Sequence, residues 1–323
     1  MRILKKFRWA YVGSGGIAYS TARSIVKGNH EITAVYSRTY SKAQAFAKSF
    51  GAKAYESFDE LLESKSFDAL YIATPHTSHV EYSVKALEAH IPVLCEKAVG
   101  VSAADVELLI NTAKANNTYF AEAMWTWFSD TALGVKKWVD NGKVGKVKRV
   151  EACFAFNGLK KNPDSRVRDP MTAGGALLDV GIYPITYCYN LFGYPDKIVC
   201  EGKVQDGIDV DEKVILHYGD TVCELYSSFE YLKESFLLEG TKGKITLPVF
   251  HASPIALMYG KSGVRLAFGK TTYLNEFERC AEEIRNGKKE SDYVPFKATL
   301  DCMKIMDECR RQMGLVYPFE ENK

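Results

Sequence analysis

Short apolar runs alternate with amphipathic stretches through the first third of the chain. Phe7–Val12 reads as a strand, Gly13–Gly16 as a turn and Ile17–Val26 as a helix. A second strand is expected over Glu31–Tyr36, then a helix over Ser41–Phe50 with Ser41 as its N-cap. The Asp68–Ala73 run suits a strand buried on both faces, and Ser78–Ala89 places Val80, Val84 and Leu87 at helical spacing. Pro92–Cys95, Ser102–Ala115 and Thr118–Ala121 continue as strand, helix and strand. Strands separated by helices need crossover connections, which give a parallel sheet covered on both faces. The expected fold of this part is doubly wound α/β.

Near residue 122 the rhythm changes. A helix over about 129–140 leads to a strand, Lys146–Phe156, and a loop, Asn157–Ala173. A glycine pair then opens an apolar segment, Ala176–Leu191. From Ile198 to Phe268 strands follow one another, with turn signals at Asp206-Gly207, Gly219-Asp220, Gly240 and Lys242-Gly243. Strands without intervening helices predict an open, mostly antiparallel sheet. Helices return at Asn275–Asn286 and Phe296–Met313. The expected division is residues 1–122 and 123–323, both α/β.

Composition narrows the function classes. Of 323 residues 46% are hydrophobic and 25% charged, as in a folded soluble protein. Lys and Arg number 42 against 40 Asp and Glu, so the chain lacks the basic excess that a nucleic-acid partner asks for. No stretch approaches the roughly 18 apolar residues of a membrane span. The run Trp9–Val12 is too short for a signal-peptide core, and a cytoplasmic location is expected. The eight cysteines are scattered, without a CxxC pair or a Cys/His cluster of zinc spacing. They are expected to be reduced, buried thiols, and no metal is expected.

The chemistry begins at Gly13-Ser14-Gly15-Gly16-Ile17-Ala18, a GxGxxA sequence at the first strand–helix junction. Gly13 permits the tight turn, Gly15 lets the backbone approach a pyrophosphate, and Ala18 allows close packing of helix on sheet. The helix N-terminus offers free N–H groups to phosphates. The second strand ends in Ser37-Arg38, without the acid that usually holds the ribose 2′-hydroxyl of NAD. Ser37, Arg38 and Lys42 instead suit a 2′-phosphate, which favours NADP while leaving NAD open. Thr74, Pro75, His76 and His79 end the next strand, and Glu96 and Lys97 the one after, where ligands gather in open α/β sheets.

With TPxxxH (Thr74 to His79), the Glu96-Lys97 pair, EAMWTWF (122–128) and GGALLDVGIY (174–183) in this order, the whole chain resembles the Gfo/Idh/MocA oxidoreductases. Within that family it is most similar to the branch of dimeric dihydrodiol dehydrogenases and NADP-dependent D-xylose dehydrogenases. The resemblance implies a Rossmann domain followed by a substrate-binding and oligomerisation domain, with an active site between them and a homodimer or higher homo-oligomer. It implies an NAD(P)-dependent dehydrogenase acting on CH–OH donors, with a sugar, polyol or cyclic diol as the small-molecule substrate. Lys97, Asp179 and Tyr183 match the family's catalytic positions, Tyr183 standing where many members have His. A tyrosine of ordinary pKa, about 10, is a poor base at neutral pH, and a neighbouring ammonium lowers it. On this reading Tyr183 is the acid/base, Lys97 tunes it, and Asp179 orients the substrate or Lys97.

Trp125 is the main pocket candidate by resemblance, with Phe154, Asn157 and Arg166 as further ones. His76 and His79 read as structural or cofactor-packing groups. Two departures stand out. Ala98 follows Lys97 where the family has Pro, and a trans peptide is expected because cis before a non-proline costs about 2.5–4 kcal/mol. Trp127 stands where close relatives have Arg. Pro184 would disrupt a helix interior, so the helix carrying Tyr183 either starts late or bends there. The rival readings are an NAD-dependent inositol-type dehydrogenase and a non-catalytic NAD(P)-binding regulator.

Overall fold

The computed structural model describes residues 5–160, 165–261 and 263–320. In chain order the first part runs β1 Phe7–Val12, α1 Gly16–Ile25, β2 His30–Tyr36, α2 Tyr40–Phe50, β3 Lys53–Tyr55, α3 Phe58–Ser64, β4 Ala69–Ile72, α4 His76–Glu88, β5 Val93–Glu96, α5 Ala103–Ala115 and β6 Phe120–Ala123. Then come α6 Asp130–Asp140, β7 Val147–Ala155, α7 Ile182–Phe192, β8 Lys197–Gln205, β9 Ile208–Tyr218, β10 Thr221–Ser228, β11 Lys233–Gly240, β12 Gly243–Leu247, β13 Ile255–Gly260, β14 Gly263–Phe268, α8 Tyr273–Arg285 and α9 Phe296–Met313.

The chain forms two compact units. The first takes residues up to Gly100, Ala104–Trp125 and Thr272–Phe296. Its six strands are all parallel, in the order β3-β2-β1-β4-β5-β6. That order reverses direction between β1 and β4, the switch point at which doubly wound sheets bind ligands beyond their strand ends. The strands are apolar because both faces are covered: β4, β5 and β6 are buried at every position. Helix α8, distant in sequence, belongs to this unit. Its Phe277 packs edge-on against Trp9, ring centroids 4.8 Å apart, and Tyr119 donates a hydrogen bond of 2.8 Å to Glu283.

Some local expectations are corrected. Ser41 does not cap α2; the helix begins one residue earlier, after Thr39. The short pair β3 and α3 escaped the sequence pattern, although Ser57 and Glu60 form a capping box at the start of α3.

The second unit takes Val101–Ala103, Thr126–Thr271 and Lys297–Lys323. Its eight strands run in the order β14-β13-β12-β11-β7-β10-β9-β8. Every neighbouring pair is antiparallel except β7 with β10. Buried and half-exposed positions alternate along β9 and β10, the period of a sheet with one face on the core. Helix α9 is tied to β8 by Gln312, which accepts from the Cys200 N–H and donates to the Ile198 carbonyl.

Pro184 is accommodated by a change of helix type. Residues Leu177–Gly181 form a π-helical turn, and α7 begins only at Ile182. Pro184 therefore falls in the first turn, where its missing N–H breaks no intrahelical bond. Asp179 lies in the wide turn, and Tyr183 is the second residue of the α-helix.

Candidate active site

The glycine loop is built as its spacing requires. Gly13 has φ 100°, and a Cβ there would stand 2.5 Å from the Ala73 carbonyl oxygen, so close approach to β4 excludes any side chain. Its N–H donates to the Tyr36 carbonyl at 2.8 Å. Gly15 differs: a Cβ there would meet nothing within 4 Å, so the space before the loop is open to a ligand. Gly16 and Ile17 open α1, which has no side-chain cap and no acid in its first turn. Its first N–H groups and partial positive charge thus remain available to a phosphate. Ala18 is fully buried against the sheet. Ser14 and Ser37 touch through their hydroxyls at 3.2 Å. Arg38 and Lys42 are exposed beyond the end of β2 and the start of α2. An open glycine cradle, a bare helix N-terminus and two cations fit a dinucleotide.

At the end of β4, Thr74 and Pro75 lead into α4, where His76 and His79 are both buried. The His79 ring sits between two carbonyl oxygens, with Nδ1 2.8 Å from that of Ala98 and Nε2 2.7 Å from that of Thr74. Carbonyl oxygens only accept, so the ring nitrogen that carries the hydrogen donates to the carbonyl it faces. The imidazole thereby joins the loop after β4 to the loop after β5. The Lys97–Ala98 peptide, expected trans, is cis. Ala98 is fully buried and its carbonyl is held by His79, so tertiary contacts override the local preference.

Lys97 is half-buried. Glu96 is buried, accepting from the Tyr71 hydroxyl and, at 3.3 Å, from the Lys97 N–H. Burial, with the charge of Glu96 adding to it, pushes the Glu276 carboxyl well above the carboxylate range. Trp125 is buried against Tyr273, centroids 4.9 Å apart.

In the second unit the wide turn and the start of α7 bring several candidates together. Arg166 donates to Asp179 Oδ1 at 2.8 Å. Tyr183 is 8% exposed, and its ring lies 5.4 Å from that of Phe154 on β7. Asn157 stands beyond the end of β7, where its carbonyl closes a turn to Lys160. Residues 161–164 of the expected covering loop lie outside the described residues. Trp127 is buried, parallel to Tyr189 at 6.3 Å, and its Nε1–H has no partner among the described residues.

Two features were not read from the sequence. His251, after β12, stacks on Phe154 at 4.3 Å and accompanies Tyr183 at 5.7 Å, while Nδ1 bonds Glu234 at 2.8 Å. A single histidine in a loop carries no spacing that would announce it. Beneath the wide turn lie Asp209 and Glu212, both buried. Asp209 Oδ2 accepts the Leu177 N–H at 2.6 Å, and neither oxygen of Glu212 has a hydrogen-bond partner in the described structure. Burial pushes the Glu212 carboxyl well up, and the neighbouring Asp209 adds to the shift. The run Asp209-Val210-Asp211-Glu212 inside an apolar strand pattern was the available signal.

The first unit is thus a doubly wound dinucleotide-type sheet with a phosphate loop, and the second unit holds a tyrosine, an Arg–Asp pair and an aromatic wall. Residues 7–123 match the oxidoreductase family model with an NAD-binding Rossmann fold, and residues 132–246 match the GFO/IDH/MocA C-terminal domain. The chain is 31% identical to mouse trans-1,2-dihydrobenzene-1,2-diol dehydrogenase, covering 96% of this chain and 98% of that one. It is 30% identical to the NADP(+) scyllo-inositol 2-dehydrogenase of Bacillus subtilis (97% and 99% covered) and 29% identical to the D-xylose 1-dehydrogenase (NADP(+)) of Hypocrea jecorina (96% and 93%). In fold it is similar to the 3-ketoreductase KijD10 of Actinomadura kijaniata, with a TM-score of 0.85 at 21% identity over 95% of this chain and 98% of that one. The chain belongs to the Gfo/Idh/MocA oxidoreductase family.

Proposed function

We propose that the protein is an NADP-dependent dehydrogenase that oxidises a CH–OH group of a sugar, polyol or cyclic diol. The observation that carries the cofactor preference is the end of β2, where Ser37 and Arg38 replace the acid of an NAD site. The named NADP(+) relatives support it. A bound nicotinamide supplies the hydride acceptor. Gly13 to Ile17 bind the pyrophosphate through backbone N–H groups, and Arg38 with Lys42 holds the 2′-phosphate. Thr74, Pro75, His76, His79 and Glu96 complete the cofactor's surroundings.

Tyr183 takes the proton of the reacting hydroxyl onto its phenolate oxygen. Lys97 supplies the ammonium that makes that phenolate accessible, a pairing that rests on the motif match. Asp179, held by Arg166, orients the substrate, with Trp125, Phe154 and Asn157 offering further contacts. The test is to measure NADP⁺ and NAD⁺ binding, then reduced-nicotinamide absorbance over a panel of sugars, inositols and diols. Tyr183→Phe should bind NADP⁺ as wild type does and lose turnover by about 10²-fold or more. A fully active Tyr183→Phe rules out the proposed base, and absence of dinucleotide binding removes the reading altogether.

We infer a homodimer through the second unit's sheet. Val264, Leu266 and Phe268 of the edge strand β14 are 58%, 50% and 64% exposed, an apolar surface that a second copy would cover. Sedimentation showing only monomer at micromolar concentration removes this part. A cytoplasmic location agrees with eight buried cysteines that form no disulfide. Among the described residues no helix is long and apolar enough to cross a membrane.

A further inference from the structure

His251 is placed with more care than a loop residue needs. Its ring lies nearly parallel to Phe154, centroids 4.3 Å apart at 14°, and 5.7 Å from Tyr183. Phe154 and Tyr183 are themselves 5.4 Å apart, so the three rings form one corner. The imidazole is anchored by Glu234 on β11, whose position pairs directly with Phe154 on β7. A carboxylate only accepts, so Nδ1 carries the hydrogen and the tautomer is set. Both side chains keep about a fifth of their surface, 23% for His251 and 21% for Glu234, so the pair is reachable rather than sealed in the core.

The polar character continues around the ring. His251 also lines a small cavity with Thr131 and Tyr187, whose buried hydroxyls have no partner among the described protein groups. An arene seeking the face of Phe154 that the imidazole covers would have to displace a stacked, carboxylate-anchored ring. A substrate hydroxyl would meet a hydrogen-bonding group there.

We propose that His251, oriented by Glu234, contacts the substrate beside Tyr183 and selects a polyhydroxylated ligand, an aldose or inositol, over an arene diol. This rests on the reading of Tyr183 as the reacting acid/base. A dihydrodiol shares with a polyol the vicinal pair of hydroxyls, so the group read by the imidazole is one of the further hydroxyls that only the polyol carries. A hydrogen bond offered at that place favours the ligand that has the hydroxyl over one that presents C–H there.

The experiment compares wild type with His251→Phe, His251→Gln and Glu234→Gln. Steady-state kinetics use D-xylose, scyllo-inositol and a trans-dihydrodiol, and calorimetry follows the two polyols binding to NADP⁺-loaded protein. His251→Phe should raise the polyol KM about tenfold or more with a smaller change in kcat, and shift the polyol-to-diol ratio of kcat/KM by at least about tenfold. His251→Gln should recover part of that loss, Glu234→Gln should fall between, and NADP⁺ affinity should stay at the wild-type value in all three. An unchanged polyol KM in His251→Phe overturns the proposal, as does a wild type that binds no polyol. Polyol binding that needs His251 in a protein without turnover keeps this assignment and rejects the catalytic reading. Turnover confined to the dihydrodiol rejects this assignment and keeps the catalytic one.

Discussion

The two units place their functional groups by different means. In the first, each group lies within two residues of the end of a parallel strand: Gly13 after β1, Ser37 after β2, Thr74 after β4 and Lys97 after β5. The strands are short and buried on both faces, so their ends are the only places where polar chemistry can start. In the second unit the candidates come from a π-helical turn, the end of β7, a strand on the far side of β7 and the loop after β12. A parallel sheet gathers its chemistry by topology, which leaves a local signature. A mixed sheet gathers it by cross-strand register, which leaves none. Glycine substitutions break this contrast with the largest effect. Gly13→Ala forces a Cβ to within 2.5 Å of a backbone carbonyl at φ 100°, and should destabilise the protein by about 3–5 kcal/mol in denaturant unfolding. Gly15→Ala meets nothing within 4 Å; it should unfold with wild-type stability and weaken NADP⁺ about tenfold or more. Equal destabilisation by both would mean that the loop is only a turn.

The same contrast decides what could be read from residue order alone. The strand–helix alternation, the change of architecture and helix α9 over Phe296–Met313 follow from hydrophobic period, because burial on one or both faces dictates it. The pairing of Arg166 with Asp179 joins two residues already suspected for separate reasons. Helix α8 was recognised as a helix, but its membership of the first unit depends on Phe277 meeting Trp9, a contact between residues at opposite ends of the chain. The cis peptide at Ala98 and the wide turn before Pro184 depend on partners, the His79 ring for the one and the sheet beneath for the other. His251 and Glu234 needed the register of β7 with β11.

The buried carboxylates give the next effect in size. Glu96 has donors in Tyr71 and the Lys97 N–H, whereas Glu212 makes no well-formed hydrogen bond, with only the Ser227 hydroxyl near it, and sits beside Asp209. Glu212 has its folded pKa raised, so the folded state holds the proton more tightly than the unfolded one. Its contribution is therefore fully present below the unfolded value, 4.5, and is lost as pH rises toward the folded one. Glu212→Gln should flatten that slope, gaining about 1 kcal/mol or more on wild type between about pH 5 and pH 8. Thermal unfolding at both pH values measures it. Parallel pH profiles for wild type and variant would show that Glu212 does not carry the proton.

Cofactor selection asks for a similar energy, carried by an exposed group. Arg38 is exposed, so its contribution to a 2′-phosphate is a solvent-screened charge-assisted contact. Arg38→Ala should reduce the NADP⁺-to-NAD⁺ affinity ratio by about tenfold, close to 1.4 kcal/mol, leaving NAD⁺ affinity and the substrate KM unchanged. The loss should shrink at high salt. An unchanged ratio would move the specificity determinant to Ser37 or Lys42.

The smallest effect tests the opposite sign of pH dependence, in the first unit. Asp68, just before β4, takes Arg8 Nε at 3.2 Å, Nη2 at 2.6 Å and the Arg8 N–H at 2.9 Å. Partial burial opposes the charged carboxylate, but these Arg8 bonds outweigh it and hold the pKa below 3.8. The contribution of Asp68 is thus present above pH 3.8 and is lost as pH falls through the depressed folded value. Side-chain exposures of 28% and 34% keep the pair close to surface strength. Asp68→Asn should cost only about 0.5–1 kcal/mol at neutral pH, less at high salt, and nothing below the folded pKa. Measured together, Glu212→Gln and Asp68→Asn should move stability in opposite directions with pH, because one carboxyl is buried without a well-formed hydrogen bond and the other is held by an arginine. If both variants lose stability at neutral pH, the Ser227 hydroxyl beside Glu212 acts as its donor, and the contrast between the two carboxyls disappears.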